Sequence, residues 1–157
     1  MTLAQILAFM LTLVGHGNAA GQTRYANAIL AVPTEDVELQ AALIVTAREE
    51  NWFHLTSYPP FGLTWYVATH PAVCLHATDT HRGRATCTPL SIEEGALRAA
   101  MLLRFIRTTR CGHSESWGAI LGFYRRGHGC YPDATAVEMV RRMATLPSMR
   151  PLRAVDP

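Results

Sequence analysis

The stretch AALIVTAREENWF, residues 41–53, runs from small and apolar residues directly into charged ones. Positions 41–47 are apolar on nearly every face of a helix, which is typical of a helix in the centre of a domain. Glu49 and Glu50 follow at once, and aromatic residues come next. The sequence therefore predicts a buried helix that carries two adjacent carboxyl groups to the edge of the core.

The composition is that of one globular domain. The chain has 157 residues, of which 49% are hydrophobic and 17% charged, enough for a sizeable core. The net charge is only +2, although all 14 cationic side chains are arginine. So small a charge gives no electrostatic footprint for a polyanion, and we do not expect nucleic acid as a partner.

The N-terminal 20 residues admit two interpretations. Residues 3–14 form an apolar run, and Asn18-Ala19-Ala20 follows as a candidate cleavage region of a signal peptide. No arginine precedes Arg24, so the positive segment of a signal peptide is missing. The alternative is an N-terminal helix packed on the domain. The run is too short for a stable membrane span. We therefore expect a domain over residues 21–147 and a tail over 148–157.

Most of the domain is predicted to be helical. Thr34 is a candidate N-cap for the central helix, with Glu35 and Asp36 in its first turn. Capping boxes begin at Ser91 and Thr135, and Ser114 or Ser116 opens a short helix that ends at Gly127. The predicted helices cover residues 22–31, 35–51, 91–110, 114 or 116 to 126, and 135–146. In the helix after Ser91, the apolar face comprises Leu97, Ala100, Met101, Leu103, Phe105 and Ile106.

Residues 52–90 differ from the rest of the chain. Six prolines and glycines interrupt them, and a long irregular segment inside a compact domain is usually functional. Residues 63–69 (LTWYVAT) have the composition of a short strand. The predicted fold class is thus mainly α, as one domain with an irregular insert around residues 52–90 in which a β-hairpin is one candidate structure.

The four cysteines are even in number, which fits two disulfides in an exported protein. The intervals favour Cys74–Cys87 and Cys111–Cys130, each closing a short loop worth about 3 kcal/mol in the chain-entropy model. The sequence does not determine the pairing. Four reduced thiols in a cytosolic protein are the alternative.

Either acid at the end of the central helix could be a general acid. Glu49 follows Ala42 and Val45 on one helix face, and Glu50 follows Leu43 and Ala47 on another. Both stripes are apolar, so periodicity does not choose between the two acids. A desolvated carboxyl group has a raised pKa and keeps its proton, as the acid of a glycosidase must.

Several segments together resemble the lysozyme-like lytic transglycosylases and goose-type lysozymes. They are LQAALIVTARE (39–49), Ser57, Gly62-Leu63, the capped helix from Ser91, and GAILGFYRRGHG (118–129). Members of that family have a buried helix that ends in a catalytic Glu. A Gly-Leu-x-Gln turn and, later, an Ala-Tyr-Asn-x-Gly segment follow. The resemblance covers about residues 22–145 and implies a lysozyme-like single domain.

The resemblance also implies roles for individual residues. Glu49 takes the place of the catalytic general acid and base, and Tyr124 would hydrogen-bond it. The implied substrate-binding residues are Glu50, Ser57, Gly62, Leu63, Trp65 and Arg125. Trp65 stands where the family has Gln and Arg125 where it has Asn, which leaves room for an inactive or re-specialised member.

The implied activity is cleavage of the β-1,4 bond between N-acetylmuramic acid and N-acetylglucosamine in peptidoglycan. A lytic transglycosylase would close a 1,6-anhydro ring, whereas a hydrolase would use water and a second carboxylate, for which Glu50 and Asp79 are candidates. Neither mode needs a cofactor or a metal. We expect a monomer acting on glycan strands in the periplasm or outside the cell, from a bacterium or a phage.

Three other interpretations remain open. A zinc site is the first, since five potential ligands fall within 18 residues: His70, Cys74, His76, His81 and Cys87. A catalytically inactive module that binds glycan or serves a structural role is the second. The third is a cysteine–histidine enzyme built on Cys111 and His113 or on His128 and Cys130.

Aromatic residues are dense on both sides of the predicted cleft. They either fill the core beneath the insert or line a sugar-binding surface, and one or two are expected to face the cleft. The residues concerned are Trp52, Phe53, Tyr58, Phe61, Trp65 and Tyr66.

Overall fold

The structure is a computed structural model that describes residues 1–15, 18–51, 53, 61, 63, 65–66, 79–81, 84–87, 91–112 and 116–146. Most of these residues are helical, which confirms the mainly α class. The helices are α1 (Leu3–Val14), α2 (Ala19–Ala31), α3 (Val37–Asn51), α4 (Ile92–Phe105), α5 (Trp117–Arg126) and α6 (Ala134–Met143). A π-helical turn, Ile106–Arg110, extends α4.

Helix α3 is the centre of the domain, as predicted. Every residue from Leu39 to Ala47 is buried, and none is more than 3% exposed. The N-cap is Asp36 rather than Thr34, because the Asp36 Oδ1 accepts the Leu39 N–H at 3.0 Å. Thr34 instead accepts the Asp36 N–H at 3.1 Å and shapes the turn before the helix. The helix therefore begins two residues later than expected.

Helix α1 packs on the domain. Thr2 and Gln5 form a reciprocal capping box, and Ile6 and Met10 are fully buried. The amino group of Met1 donates to the Gln40 Oε1 on α3 at 2.6 Å. Of the two interpretations of the N-terminal residues, the packed helix is the arrangement seen here. None of the helices in the described ranges is long and apolar enough to cross a membrane.

Helix α2 begins three residues earlier than predicted, with Asn18 as its N-cap. The side chain of Asn18 accepts the Gly21 N–H at 3.2 Å and donates to the Phe53 carbonyl at 2.7 Å. A Cβ atom on Gly21 would lie 1.9 Å from that carbonyl oxygen. Glycine is required there because α2 approaches the backbone after α3 so closely.

Three short strands are described within residues 52–90: β1 (Trp65–Tyr66), β2 (Asp79–His81) and β3 (Arg84–Cys87). They form one antiparallel sheet in the order β1-β3-β2. Trp65 lies opposite Cys87 in the register, and Asp79 lies opposite Thr86. The strand β1 falls inside the segment 63–69 for which a strand was predicted.

Helix α4 begins as predicted, but only Ala100, Leu103 and Ile106 of its predicted apolar face are buried. Ser91 is its N-cap and accepts the Glu94 N–H at 3.1 Å. Leu97, Met101 and Phe105 were predicted to face the core, yet they are 41%, 52% and 44% exposed. The stripe that packs against α2 and its neighbours is formed by smaller residues together with Leu103 and Ile106. Its buried members are Ala96, Ala99, Ala100, Leu103 and Ile106.

The C-terminal helices are joined by a cross-linked loop. Ser116 caps α5, and Gly127 ends it in the left-handed conformation, as predicted. Asp133, not Thr135, caps α6, because its Oδ1 accepts the Ala136 N–H at 2.8 Å. A disulfide joins Cys111 to Cys130 with their Cα atoms 5.5 Å apart, which confirms that pair. Cys74 lies outside the described residues, and so does any pairing of it.

Candidate active site

An aromatic cluster holds the chain where it leaves α3. Phe53 and Phe61 are fully buried, and their ring centroids lie 5.7 Å and 5.3 Å from that of Tyr25 on α2. Both phenylalanines adopt positive φ angles, 59° and 56°. Bulky residues rarely adopt this conformation, and it persists only where the surrounding structure over-determines it. The backbone beside the two acids is thus held by the core.

Tyr124 on α5 also holds this backbone, through a hydrogen bond. Its hydroxyl donates to the Phe61 carbonyl at 2.8 Å. Burial raises the pKa of Tyr124 well above its ordinary value, and the charge of Glu50 raises the pKa further. The hydroxyl proton is therefore retained and used in the bond to Phe61. The expected hydrogen bond from Tyr124 to Glu49 is not formed. The acid whose charge affects the pKa of Tyr124 is Glu50.

Glu50 is the acid with an available carboxyl group. Protein atoms around that group desolvate it and raise its pKa above the ordinary value, even though the residue reaches solvent. The positive charge of Arg125 lowers the pKa of Glu50, and the negative charge of Glu49 raises it, both by less than burial does. Glu50 makes no hydrogen bond or ion pair with any other residue that the structure describes.

Glu49 is engaged in an ion-pair network. Its Oε1 accepts hydrogen bonds from Arg48 on the same helix and from Arg142 on α6. Only 17% of the Glu49 side chain is exposed. Arg142 also donates to Glu138 at 2.9 Å, so the network continues along α6. Glu49 consequently fastens the end of α3 to α6, and its oxygen is turned toward two cations.

Arg125 is held in place beside Glu50 by Asp133. One guanidinium nitrogen of Arg125 lies 2.9 Å and 2.8 Å from the two carboxylate oxygens of Asp133. Arg126 adds a third bond to the same residue at 2.9 Å. The hydrogen bond from the Ala136 backbone, and then the charges of both arginines, lower the pKa of Asp133. The cation whose charge lowers the pKa of Glu50 is thus tied to the start of α6.

The remaining predicted substrate-binding residues have different positions. Leu63 is 4% exposed and belongs to the core, so its side chain does not line an open cleft. Trp65 is the first of the two residues that form β1. Ser57 and Gly62 lie outside the described residues. The structure therefore brings together Glu50, Tyr124 and Arg125 from the predicted set, with Glu49 directed away toward α6.

The aromatic residues that were predicted to flank the cleft also have different positions. Phe53 and Phe61 fill the core. Trp65 and Tyr66 form β1, and their side chains are not described. Trp52 and Tyr58 lie outside the described residues, so the prediction that one or two aromatics face a cleft stays a prediction.

The described residues bear on two of the alternative interpretations, the cysteine–histidine enzyme and the zinc site. Cys111 and Cys130 are bonded to each other, so neither is a free thiol that could act as a nucleophile. His81 and Cys87 lie in β2 and β3, and the other three potential zinc ligands fall outside the described residues. Among the side chains that the structure describes, no three of His, Cys, Asp or Glu form a group suited to a metal ion.

Sequence patterns did not point to Arg142 or Asp133 as parts of this site. The partner of Arg142 is Glu49, which is distant along the chain. The partner of Asp133 is Arg125, which lies on the other side of a loop. The one local signal was the spacing of Glu138 and Arg142, which is that of a helical ion pair.

Comparison with protein-family models, with curated proteins and with solved structures found no match to this chain.

Proposed function

We propose that this protein cleaves the β-1,4 glycosidic bond between N-acetylmuramic acid and N-acetylglucosamine in peptidoglycan, with Glu50 as the general acid. One observation carries the proposal. Helix α3, which is buried from Leu39 to Ala47, ends in a carboxyl group that is partly desolvated, makes no ion pair among the described residues and lies within reach of the charge of Arg125. A glycosidase acid needs a proton at neutral pH and a path to the substrate.

The proposal assigns the general acid to Glu50, one residue after Glu49, which the family resemblance implied. Glu49 already accepts hydrogen bonds from Arg48 and Arg142. Two guanidinium groups stabilise the ionised form of a carboxylate, which suits a structural ion pair and not a proton donor. Glu50 shares the end of the same helix, and helix α5 brings Tyr124 and Arg125 to it.

The domain architecture supports a lysozyme-like fold as part of this proposal. A buried central helix, packed among other helices, ends where a segment with short antiparallel strands begins. In this arrangement the insert around residues 52–90, including the β2–β3 hairpin, would form one wall of the glycan cleft. Helix α5 would form the other.

The proposed mechanism begins with proton transfer from Glu50 to the glycosidic oxygen. The positive charge of Arg125 then stabilises the carboxylate that is left. In the transglycosylase mode Glu50 takes the proton back from the muramyl 6-hydroxyl, whose oxygen closes the 1,6-anhydro ring. We favour this mode because the carboxylate adjacent to Glu50 is Glu49, which is engaged by arginines. Asp79, at the start of β2, is the candidate second acid of the hydrolytic mode.

The proposed partner is the glycan strand of the wall, and the proposed location is the periplasm or the cell exterior. The Cys111–Cys130 disulfide supports this location, because such bonds persist in oxidising compartments. The mechanism as proposed needs no cofactor and acts through a monomer.

The test is to incubate purified peptidoglycan with the wild type, Glu50→Gln and Glu49→Gln, and to identify released muropeptides by mass spectrometry. Anhydromuropeptides from the wild type and from Glu49→Gln, but not from Glu50→Gln, are the expected result. Reducing-end products would indicate a hydrolase and direct attention to Asp79. Loss of release in Glu49→Gln with activity retained in Glu50→Gln would return the acid to Glu49.

The same samples test the non-catalytic alternative. Each variant is first checked for native far-UV circular dichroism, and each is sedimented with intact walls. A folded wild type that sediments with several wall types but releases nothing would refute the enzymatic proposal. Such a result would leave a glycan-binding module.

A further inference from the structure

A groove of about 650 Å³ lies between α1 and α6, and the short turn after α6 contributes to its second wall. Sites for small organic ligands are usually clefts of roughly 300–1,000 Å³, lined mostly by apolar side chains with a few polar groups. The groove falls in that size range. It is separate from the proposed active site, because Glu50, Tyr124 and Arg125 are not among the residues that line it.

The floor of the groove is apolar. Phe9 on α1 and Leu146 after α6 are buried, and both line the groove. Leu13 is half-buried and Ala8 is exposed, so the α1 wall rises from the core to solvent. Phe9 and Leu13 are one helical turn apart and therefore lie on the same face of α1, one above the other. An alkyl chain laid along α1 would contact both.

The described side chains that carry charge in this groove all lie on α6. Arg141 and Arg142 contribute two positive charges, and Glu138 contributes one negative charge. Helix α1, which forms the other wall, has no charged side chain between Leu3 and Val14. The groove thus has an uncharged apolar wall and one edge on which cations outnumber anions. That distribution favours an amphiphile with an anionic head.

Arg141 is the cation best placed to meet such a head. Its side chain is 73% exposed, and it donates to the two carboxylate oxygens of Glu138 from Nε at 2.6 Å and from Nη2 at 2.8 Å. A guanidinium group has five N–H donors, so three remain that no described residue accepts. The planar fork that holds Glu138 has a second edge of similar geometry, which suits another carboxylate. Arg142, by contrast, is 20% exposed and already donates to Glu49 and Glu138.

We propose that the groove between α1 and α6 binds a free long-chain carboxylate, with its alkyl chain along Phe9, Leu13 and Leu146 and its head at Arg141. Removal of the chain from water supplies most of the affinity, and the guanidinium group orients the head. A cationic amphiphile would meet two arginines at the edge of the groove. A glycan strand would leave the apolar floor without an apolar partner. The lining therefore favours an anion with an apolar body over both.

The experiment is an NMR titration of the methyl-labelled full chain with octanoate, decanoate and dodecanoate below their micelle concentrations, with calorimetry for the Kd. We expect the methyl signals of Leu13 and Leu146 to move. The Kd should fall roughly fourfold for each added methylene, the effect of burying that group. Dodecyltrimethylammonium has the same alkyl chain as a cation, and it should bind at least about tenfold more weakly than dodecanoate.

Two substitutions separate the head from the chain. Arg141→Gln removes the cation, so it should weaken dodecanoate binding about three- to tenfold and leave the dependence on chain length unchanged. Ala8→Trp adds bulk to the groove from an exposed position and should abolish binding while far-UV circular dichroism stays native. Arg24→Gln is the matched control, because Arg24 is also an exposed arginine paired with a glutamate, Glu93, and does not line the groove. Its Kd should stay within about twofold of the wild type.

Several results would overturn the proposal. One is a Kd that does not depend on chain length, and another is an equal loss of affinity in Arg141→Gln and Arg24→Gln. A second copy would be the occupant if the Leu13 and Leu146 signals and the sedimentation coefficient change together on dilution without ligand. The C-terminal residues of the chain would be the occupant if Leu152→Ser moves those signals. Sedimentation with anionic phospholipid vesicles, without binding of free dodecanoate, would assign the face to a membrane surface.

This binding site goes beyond the proposed function and does not depend on it. The titration needs neither peptidoglycan nor turnover. A protein that releases no muropeptides but binds dodecanoate as described would refute the proposed cleavage and support the site. A protein that releases muropeptides but binds no alkyl carboxylate would do the reverse.

Discussion

The hydroxyl of Tyr124 donates to the backbone carbonyl of Phe61 over 2.8 Å, although 63 residues separate them. This contact joins α5 to the insert at a point where the Phe61 ring is already buried against Tyr25. Closer to the end of α3 along the chain, the Phe53 carbonyl accepts a hydrogen bond from the Asn18 side chain. The backbone around the proposed acid is therefore held at two fixed points, each fastened to a different helix.

The first prediction concerns the Tyr124 contact. Tyr124→Phe keeps the ring but removes the donor, which leaves the Phe61 carbonyl without that hydrogen bond. The expected loss in the free energy of unfolding is about 1 to 2 kcal/mol. Urea denaturation followed by circular dichroism measures it. Tyr131→Phe is the matched control, since Tyr131 is 54% exposed, and it should change stability by less than about 0.5 kcal/mol. Equal effects of the two substitutions would contradict the importance of the contact.

The second prediction concerns the close approach of α2 to Phe53. In Gly21→Ala the added Cβ would lie 1.9 Å from the Phe53 carbonyl oxygen and 2.6 Å from the Asn18 amide nitrogen. The helix must move away, and we expect a loss of about 2 to 4 kcal/mol in unfolding free energy. Gly118→Ala is the comparison, because its nearest atom is a side-chain carbon at 3.2 Å.

Gly118→Ala should cost less than about 1 kcal/mol, since part of any strain is offset by the better helix propensity of alanine. Thermal or urea unfolding of both variants gives the comparison. A Gly21→Ala protein as stable as the wild type would mean that α2 and the Phe53 backbone do not approach as described.

The third prediction follows from the raised pKa of Glu50. In the folded protein Glu50 holds its proton to higher pH than in the unfolded chain, where its pKa has the ordinary value of 4.5. Folding therefore becomes less favourable as pH rises from about 4.5 through the raised pKa. Glu50→Gln cannot ionise and escapes this loss. The variant should have a higher melting temperature than the wild type at pH 8, and the difference should shrink at pH 4.

Melting curves at the two pH values test the sign directly. Glu35→Gln serves as the control, because Glu35 is exposed before α3, and its difference from the wild type should be small at both. A Glu50→Gln protein that is less stable than the wild type at pH 8 would contradict a desolvated carboxyl group at this position.

The fourth prediction concerns the disulfide. Cys111 and Cys130 are 19 residues apart, so their bond restricts the unfolded chain by about 3 kcal/mol in the chain-entropy model. The variant with both cysteines replaced by serine should lose a comparable free energy of unfolding, measured in urea. Addition of a reducing agent to the wild type should lower its stability in the same direction and leave the double variant unchanged. Insensitivity of the wild type to reduction would contradict this.

Local patterns predicted much of the helical framework. Ser91 was identified as an N-cap, Ser116 as one of two candidates, and Gly127 as a helix end, because each signal depends on a few neighbouring residues. The caps at Thr34 and Thr135 were wrong by two residues each. In both cases an aspartate stood within two positions, and the conformation of the preceding turn decided which side chain met the free N–H groups.

The apolar face of α4 shows what periodicity leaves open. Leu97, Met101 and Phe105 form one stripe, and alanines with Leu103 form another. Either stripe satisfies the helical period, but the stripe with the alanines is the one that is buried, in a helix that packs against α2. The position of the neighbouring helix decides which face is covered, and that position is not a local property.

That a buried helix ends in two consecutive acids follows from the residues alone, because the apolar run and the charges that follow it are local features. The residues alone did not determine which of the two acids would form ion pairs with arginine. Consecutive helical residues point about 100° apart, so one fold can direct Glu49 and Glu50 to different surroundings. The tertiary structure decided the matter by placing Arg142 of α6 against Glu49 and leaving Glu50 beside Tyr124 and Arg125. Electrostatic pairing depends on distances in space, and the partner of Glu49 lies 93 residues away along the chain.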